Sequence, residues 1–343
     1  MEPKFWDEQY KRNCIIGNKD FQTIYSATKI NQNDMLVTIK EYSIHKDDNS
    51  KNEKIKQLFE REIELMNDLS KLNCENFVKL IENKNDIIKG REDNYYYIVR
   101  EYCFGNLEDF ITMNEGKLEP GLIQLIMKQL NNAFKILKDK KIIHRNIKPS
   151  NILFSYKEDN NYIMKLSGLN YYKKENNNPP IDKTENDYFI PPKGLNNMNE
   201  QYDLWSIGAI MYFMYFGDYN IENRYSEIKD NDLKDLIEKC LKNIKNIISW
   251  DDYLNHQFFK NHYVDYDKKE NPKNIDMNLI IKYHNTFMEI SGQIEKDYTE
   301  VIKQKTTEKR NKLIKNQNSY YDTKIKEIEK IFEEMTNIRM KYS

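Results

Sequence analysis

The chain has 343 residues, 54 Lys and Arg against 55 Asp and Glu, and a formal net charge of −1. That length suits two lobes or one domain with an appendage, and the balanced charge provides no global field for nucleic acid or acidic lipid. The most apolar run, residues 205–216, falls short of the roughly 20 residues a membrane span needs.

No basic-then-apolar leader is read before Phe5 and Trp6. Cys14, Cys74, Cys103 and Cys240 are far apart and form no Cys-x-x-Cys pair, so neither zinc nor a disulfide framework is expected, and a reducing, cytoplasmic setting is. Residues 1–13 read as an N-terminal extension. Short apolar and polar alternations over 14–45 predict antiparallel strands. Ile55, Leu58, Phe59, Ile63, Met66 and Leu69 recur at steps of three and four, which predicts an amphipathic helix over 55–72. Strand-like runs follow at 77–82 and 95–102. After Gly105 the pattern turns mostly helical, with helices over 122–139, 204–216 and 232–243. The whole is an α+β arrangement, a small sheet-rich lobe followed by a larger helical one.

Residues 264–275 are polar, carry Pro272 and read as a linker. From 276 to 343 apolar residues again step by three and four: Ile280, Tyr283, Phe287, Ile290 and Ile294, then Ile328, Ile331, Met335, Ile338 and Tyr342. This predicts two helical segments, continuous or folded into a hairpin, with self-association and docking on the large lobe as the two uses.

The motifs between about 10 and 263 come in a telling order. IIGNKDFQTIYSA (15–27) precedes VTIK (37–40) and REIELM (61–66). HRNIKPSN (144–151), KLSGLN (165–170), YFIPPK (188–193), DLWSIG (203–208) and LNHQFF (254–259) follow. The set resembles the eukaryotic protein kinases. That resemblance implies a bilobal fold with a small lobe over 14–100, a hinge over 101–106 and a large lobe over 107–263. Phosphoryl transfer in that family needs a phosphate cradle, a lysine held by a glutamate, a carboxylate for magnesium and a base.

Against those needs the chain departs repeatedly. The three glycines of the phosphate loop fall on Gly17, Lys19 and Gln22, so one survives. Lys40 and Glu62 retain the family's ion pair, for nucleotide contact or as a lock of helix on sheet. The base position is Asn146, whose amide cannot take a proton as a carboxylate does. Lys148 and Asn151 keep the phosphate-contacting and metal-binding identities, and Lys148 with Pro149 and Ser150 resembles the serine/threonine branch. Gly168 stands at the metal-binding aspartate, and glycine offers no side-chain oxygen to Mg²⁺, which favours carboxylates.

Arg100 takes the gatekeeper position, normally apolar or Thr, and is expected to pair with Glu62 or a nearby acid, because a buried unpaired guanidinium is costly. Ile24, Thr38 and Leu153 map to the positions around adenine, and Glu101 to the hinge. With Gly17, Lys40, Glu62 and Arg100 they form a vestigial ATP pocket. Met66, Leu80, His144, Leu169 and Asp203 keep the scaffold identities. The activation-segment glutamate has become Lys193 and its arginine partner Ile247.

The resemblance therefore implies a pseudokinase: a binding or allosteric module for protein partners, with no required cofactor and at most weak, metal-independent ATP binding. Thr184 is a candidate phosphorylation switch. An active serine/threonine kinase using Asp182, Glu185 or Asp187 is the competing reading, and a coiled-coil adaptor with the kinase fold as a rigid head is a third.

Overall fold

The computed structural model describes residues 9–19, 21–30, 35–45, 49–86, 93–114, 116–156, 162–174, 188–192, 200–219, 224–241 and 246–261, with Lys326 and Lys330. The linker, the periodic stretches of the tail, Thr184, Lys193 and the acids at 182, 185 and 187 lie outside them. By internal contacts the chain divides into two units, one of Met1–Lys46, Glu82–Tyr102 and Lys269–Ser343, the other of Asp47–Ile81 and Cys103–Lys268.

The first unit is built on a five-stranded sheet of β1 (Tyr10–Lys19), β2 (Gln22–Lys29), β3 (Leu36–His45), β4 (Leu80–Asp86) and β5 (Asp93–Glu101), in the order β1-β2-β3-β5-β4. The pairs β1/β2, β2/β3 and β3/β5 are antiparallel. Strand alternation sorts the side chains. Ala27, Val37, Ile39 and Val99, all buried, take one set of register positions, while Ser26, Thr38, Lys40, Ile98 and Arg100 take the other. Tyr10 donates its hydroxyl to the Glu82 carboxylate, tying β1 to β4 across the sheet, and burial pushes the Tyr10 phenol up.

In the second unit α1 (Asn49–Ser70) buries Ile55, Leu58, Phe59, Leu65, Met66 and Leu69 along one stripe. It starts earlier than the periodicity predicts because residues 49–54 are polar throughout and add no apolar step. β6 (Gly105–Asn106) leads into α2 (Leu107–Met113). Asn106 caps that helix: its side chain accepts from the Glu108 N–H at 2.8 Å while its own N–H donates to Asp109 at 2.8 Å. α3 (Pro120–Asp139) begins on a proline that already has the helical φ.

β7 (Ile152–Tyr156) and β8 (Tyr162–Leu166) then pair antiparallel and complete a second sheet, β6-β7-β8. These short strands stand among the helices that the pattern after Gly105 predicts. Every residue of β8 is buried, so it shows no alternation, and a short apolar run is equally compatible with helix.

α4 (Gln201–Phe216) is buried from Tyr202 to Met214 and stops at Gly217, whose φ of 68° an L side chain rarely adopts. α5 (Asn231–Leu241) and α6 (Trp250–Leu254) follow, and the LNHQFF motif at 254–259 takes in the end of α6 and a 3-10 turn over Gln257–Phe259. The strand expected over 77–82 begins at Leu80, while Phe77 makes a parallel bridge to Leu166. No helix among the described residues is long and apolar enough to cross a membrane.

Candidate functional site

The loop 144–151 is held from below by Asp203 at the start of α4. Its carboxylate accepts the backbone N–H groups of His144 at 2.7 Å and Arg145 at 2.8 Å. Arg145 needs that support because its φ of 65° lies in the left-handed region, and its Nε donates to the Tyr171 carbonyl at 3.1 Å. Burial pushes the Asp203 carboxyl up to about 7, against the pull of the two N–H donors.

His144 is fully buried and its tautomer follows from its partners. Nδ1 accepts the Asn146 N–H at 3.2 Å, so Nε2 carries the proton and donates to the Ser167 carbonyl at 3.0 Å. Burial holds the imidazole neutral, with its pKa down to about 4, while the charge of Glu62 on α1 pulls weakly the other way. Glu62 is 1% exposed.

Three positions that would carry the chemistry are turned onto one another. Asn146 Nδ2 donates to the Gly168 carbonyl at 3.2 Å, and Asn151 Nδ2 donates to the Asn146 carbonyl at 2.8 Å. The Asn151 carbonyl in turn accepts from the Ser167 N–H at 2.8 Å and from its hydroxyl at 3.0 Å. Gly168 sits at φ 78°, and a Cβ added there would lie 2.5 Å from Asn151 Cγ and Nδ2. Both the backbone conformation and the neighbouring amide therefore select glycine. A carboxylate at 168 would need Asn151 to leave its hydrogen bond to Asn146. The residues present do not fit a kinase-type magnesium site. Among the described residues no three His, Cys, Asp or Glu side chains are grouped to hold a metal ion.

The segment after Gly168 is gripped by α1. Arg61 donates to the Tyr172 carbonyl and lies 4.5 Å over the Tyr172 ring, while the Tyr172 hydroxyl donates to Glu64 at 3.2 Å. Next to it, Ile143 and Lys173 exchange backbone hydrogen bonds at 2.9 and 2.7 Å. Met66 and Leu169 are both buried in this unit, and Leu80 is half-buried. Lys148 and Leu153 are half-buried, with Leu153 opposite Lys165 and Asn106 in the second sheet. Ile247 is a buried apolar residue.

The first unit brings together the remaining predicted residues. Gly17 pairs with Ile24 in the β1/β2 hairpin, and Lys19 with Gln22. Gly17 is not in the positive-φ region and a Cβ there would meet Ile24 Cδ1 at an ordinary 3.4 Å, so no unusual backbone demands this glycine. Lys40 lies opposite Ile24 on one side and Ile98 on the other, is 5% exposed, and has its Nζ 5.0 Å from the Tyr42 ring centroid. Thr38 and Arg100 are directly opposite, at 3% and 8% exposure, and Glu101 pairs with Val37. The Arg100 Nε has no hydrogen-bond partner among the described residues. Lys40 and Arg100 belong to one unit and Glu62 to the other.

Sequence reasoning missed Arg61 and Tyr172. Arg61 adjoins Glu62 inside the quoted helix motif, but nothing in that motif marks it as a grip on Tyr172. Ser26 stands two residues beyond Ile24 on β2 and opposite Thr38 on β3.

Comparison with known proteins gives one family. The description "Protein kinase domain" matches residues 10–270. A protein of Acanthamoeba polyphaga mimivirus named for a serine/threonine-protein kinase, R517/R518, is 30% identical over 313 residues, 78% of this chain and 66% of its own length. The serine/threonine-protein kinase unc-51 of Caenorhabditis elegans is 27% identical, covering 73% of this chain and 31% of its own. Calcium-dependent protein kinase 4 of Plasmodium falciparum is 28% identical, covering 74% and 50%. The chain thus spans between about a third and two thirds of the length of these relatives.

Proposed function

The chain belongs to the protein kinase family, and from that premise we propose that it is a pseudokinase, a kinase fold that serves as a binding or allosteric module without transferring phosphate. The observation that carries the reading is the closed contact of Asn146, Asn151 and Gly168. Gly168 supplies no metal ligand, and the Asn151 side chain stands where the first carbon of a carboxylate at 168 would be. Asn146 has no basic oxygen and donates its amide to Gly168. A general base contributes about 10² to 10⁴ in rate, or roughly 3 to 5 kcal/mol. Loss of the metal's charge neutralisation comes on top of that.

On this reading His144, Arg145 and Asp203 keep the architecture while α1 and the face of the second unit present it to protein partners. The vestigial nucleotide residues, Gly17, Ile24, Thr38, Lys40, Glu62, Arg100, Glu101 and Leu153, would support weak, metal-independent ATP binding at most. The periodic tail over 276–343 would serve self-association or partner recruitment.

The test is phosphate transfer from ATP, with Mg²⁺ or Mn²⁺, to generic Ser/Thr protein substrates. Transfer at the background rate of an Asn151→Ala variant is expected. Turnover well above that background would refute the reading and favour an active serine/threonine kinase, the alternative supported by the retained Lys148 and Asn151 and by the kinase names of the relatives.

A further inference from the structure

We propose that the first unit carries an anion site centred on Arg100, in which the guanidinium and the hydroxyls of Thr38 and Ser26 hold an oxyanion, the phosphate or carboxylate group of a small molecule. The inference goes beyond the pseudokinase reading and rests on no property of phosphoryl transfer.

It starts from an unmet requirement. Arg100 is 8% exposed, yet its Nε meets no acceptor among the described residues. A guanidinium cannot shed its proton to escape burial, so a buried Nε–H without an acceptor is unfavourable. The acids of the neighbouring strand positions do not answer it. Glu41 and Glu101 each follow the cations Lys40 and Arg100 by one residue, and strand alternation turns them to the other face. Glu41 accepts from Tyr25 at 3.5 Å on that face, and Glu82 accepts from Tyr10.

What does share the face is a row of donors. Arg100 is opposite Thr38, and Thr38 is opposite Ser26, so β5, β3 and β2 contribute one residue each to a line across the sheet. Directly opposed side chains stand about 5 Å apart at Cβ. Thr38 is 3% and Ser26 0% exposed. Asn13 Nδ2 donates to the Ser26 oxygen at 3.4 Å and to Thr28 at 3.1 Å, which occupies a Ser26 lone pair and leaves its O–H to donate. A planar fork at the end of a row of two hydroxyl donors is complementary to the paired oxygens of a carboxylate or phosphate.

The test is the melting temperature of the full chain in chloride buffer against equal ionic strength of inorganic phosphate or of malonate. Wild type melts higher in at least one of the two oxyanions, the arm that responds naming the group. Arg100→Met loses the response, Thr38→Val weakens it, and in chloride Arg100→Met melts as high as wild type or higher, because a buried N–H without an acceptor has been replaced by an apolar side chain of similar length. The proposal is overturned if wild type responds to neither anion, or if the shift persists in Arg100→Met. It is equally overturned if Arg100→Met lowers the melting temperature in chloride and Glu62→Gln creates a phosphate response absent from wild type, since Glu62 would then be the partner. None of these outcomes depends on whether the protein transfers phosphate, so this failure and that of the pseudokinase reading are separable.

Discussion

At Gly168 two independent constraints meet. Its φ of 78° penalises any L side chain, and the Asn151 amide fills the space a Cβ would take. Gly168→Ala should therefore destabilise by about 2 kcal/mol or more in urea unfolding, of which about 1–2 kcal/mol is the left-handed backbone and the rest displacement of Asn151. An unchanged midpoint would show that Asn151 moves freely.

His144 supplies a pH signature. Its folded pKa lies near 4 because burial excludes the charged form, whereas in the unfolded chain it takes a proton near the ordinary imidazole value of 6.5. As pH falls from 6.5 towards 4 the unfolded state binds more protons, so His144 costs the protein stability across that window and adds no further loss below it. Asp203, raised to about 7, has the opposite slope and offsets it. The stability of wild type relative to His144→Gln should thus fall by about 3 kcal/mol between pH 6.5 and 4, with Asp203 present in both. A flat difference would place His144 in contact with water. The substitutions at 146 and 168 were legible as letters. That Asn151 closes over Gly168 was not, because it depends on a backbone conformation no spacing encodes.

Among the elements, α1 is the one whose position matters most, since it carries Glu62, Arg61 and Glu64 along one stretch. Tyr172 is held through its carbonyl and ring by Arg61 and through its hydroxyl by Glu64. Tyr172→Phe removes the hydroxyl contact and should cost about 1 kcal/mol, while Arg61→Met also frees a buried carbonyl and should cost about 2 kcal/mol. The double mutant should cost less than their sum, and amide exchange in the C-terminal half of α1 should accelerate in each. Strict additivity with unaltered exchange would mean the grip does not hold the helix.

Element types were readable wherever a periodicity existed, as in α1, α3 and the first three strands. They were not readable in β8, where five residues all buried carry no period, in β7, where five residues are too few to set a period apart, nor at the start of α1, where a polar turn precedes the apolar stripe.

For the whole molecule, scaffold and chemistry separate on the proposed reading: Asp203, His144 and the buried α4 keep a kinase core, while Asn146, Gly168, Lys19 and Gln22 stand where the family resemblance puts the base, the metal ligand and two loop glycines. The proposed role of the tail is checked by light scattering of the full chain: Ile331→Lys with Ile338→Lys should lower the mass if the tail self-associates, and equal masses would remove self-association through this stretch. The most direct test of the central claim is the thermal melt of the full chain with millimolar ATP, with and without Mg²⁺ or Mn²⁺, because a ligand bound only by the folded state raises stability by RT ln(1 + [L]/Kd). The account predicts that the metal adds nothing to whatever shift ATP gives alone; a metal-dependent rise accompanied by phosphate transfer would contradict it.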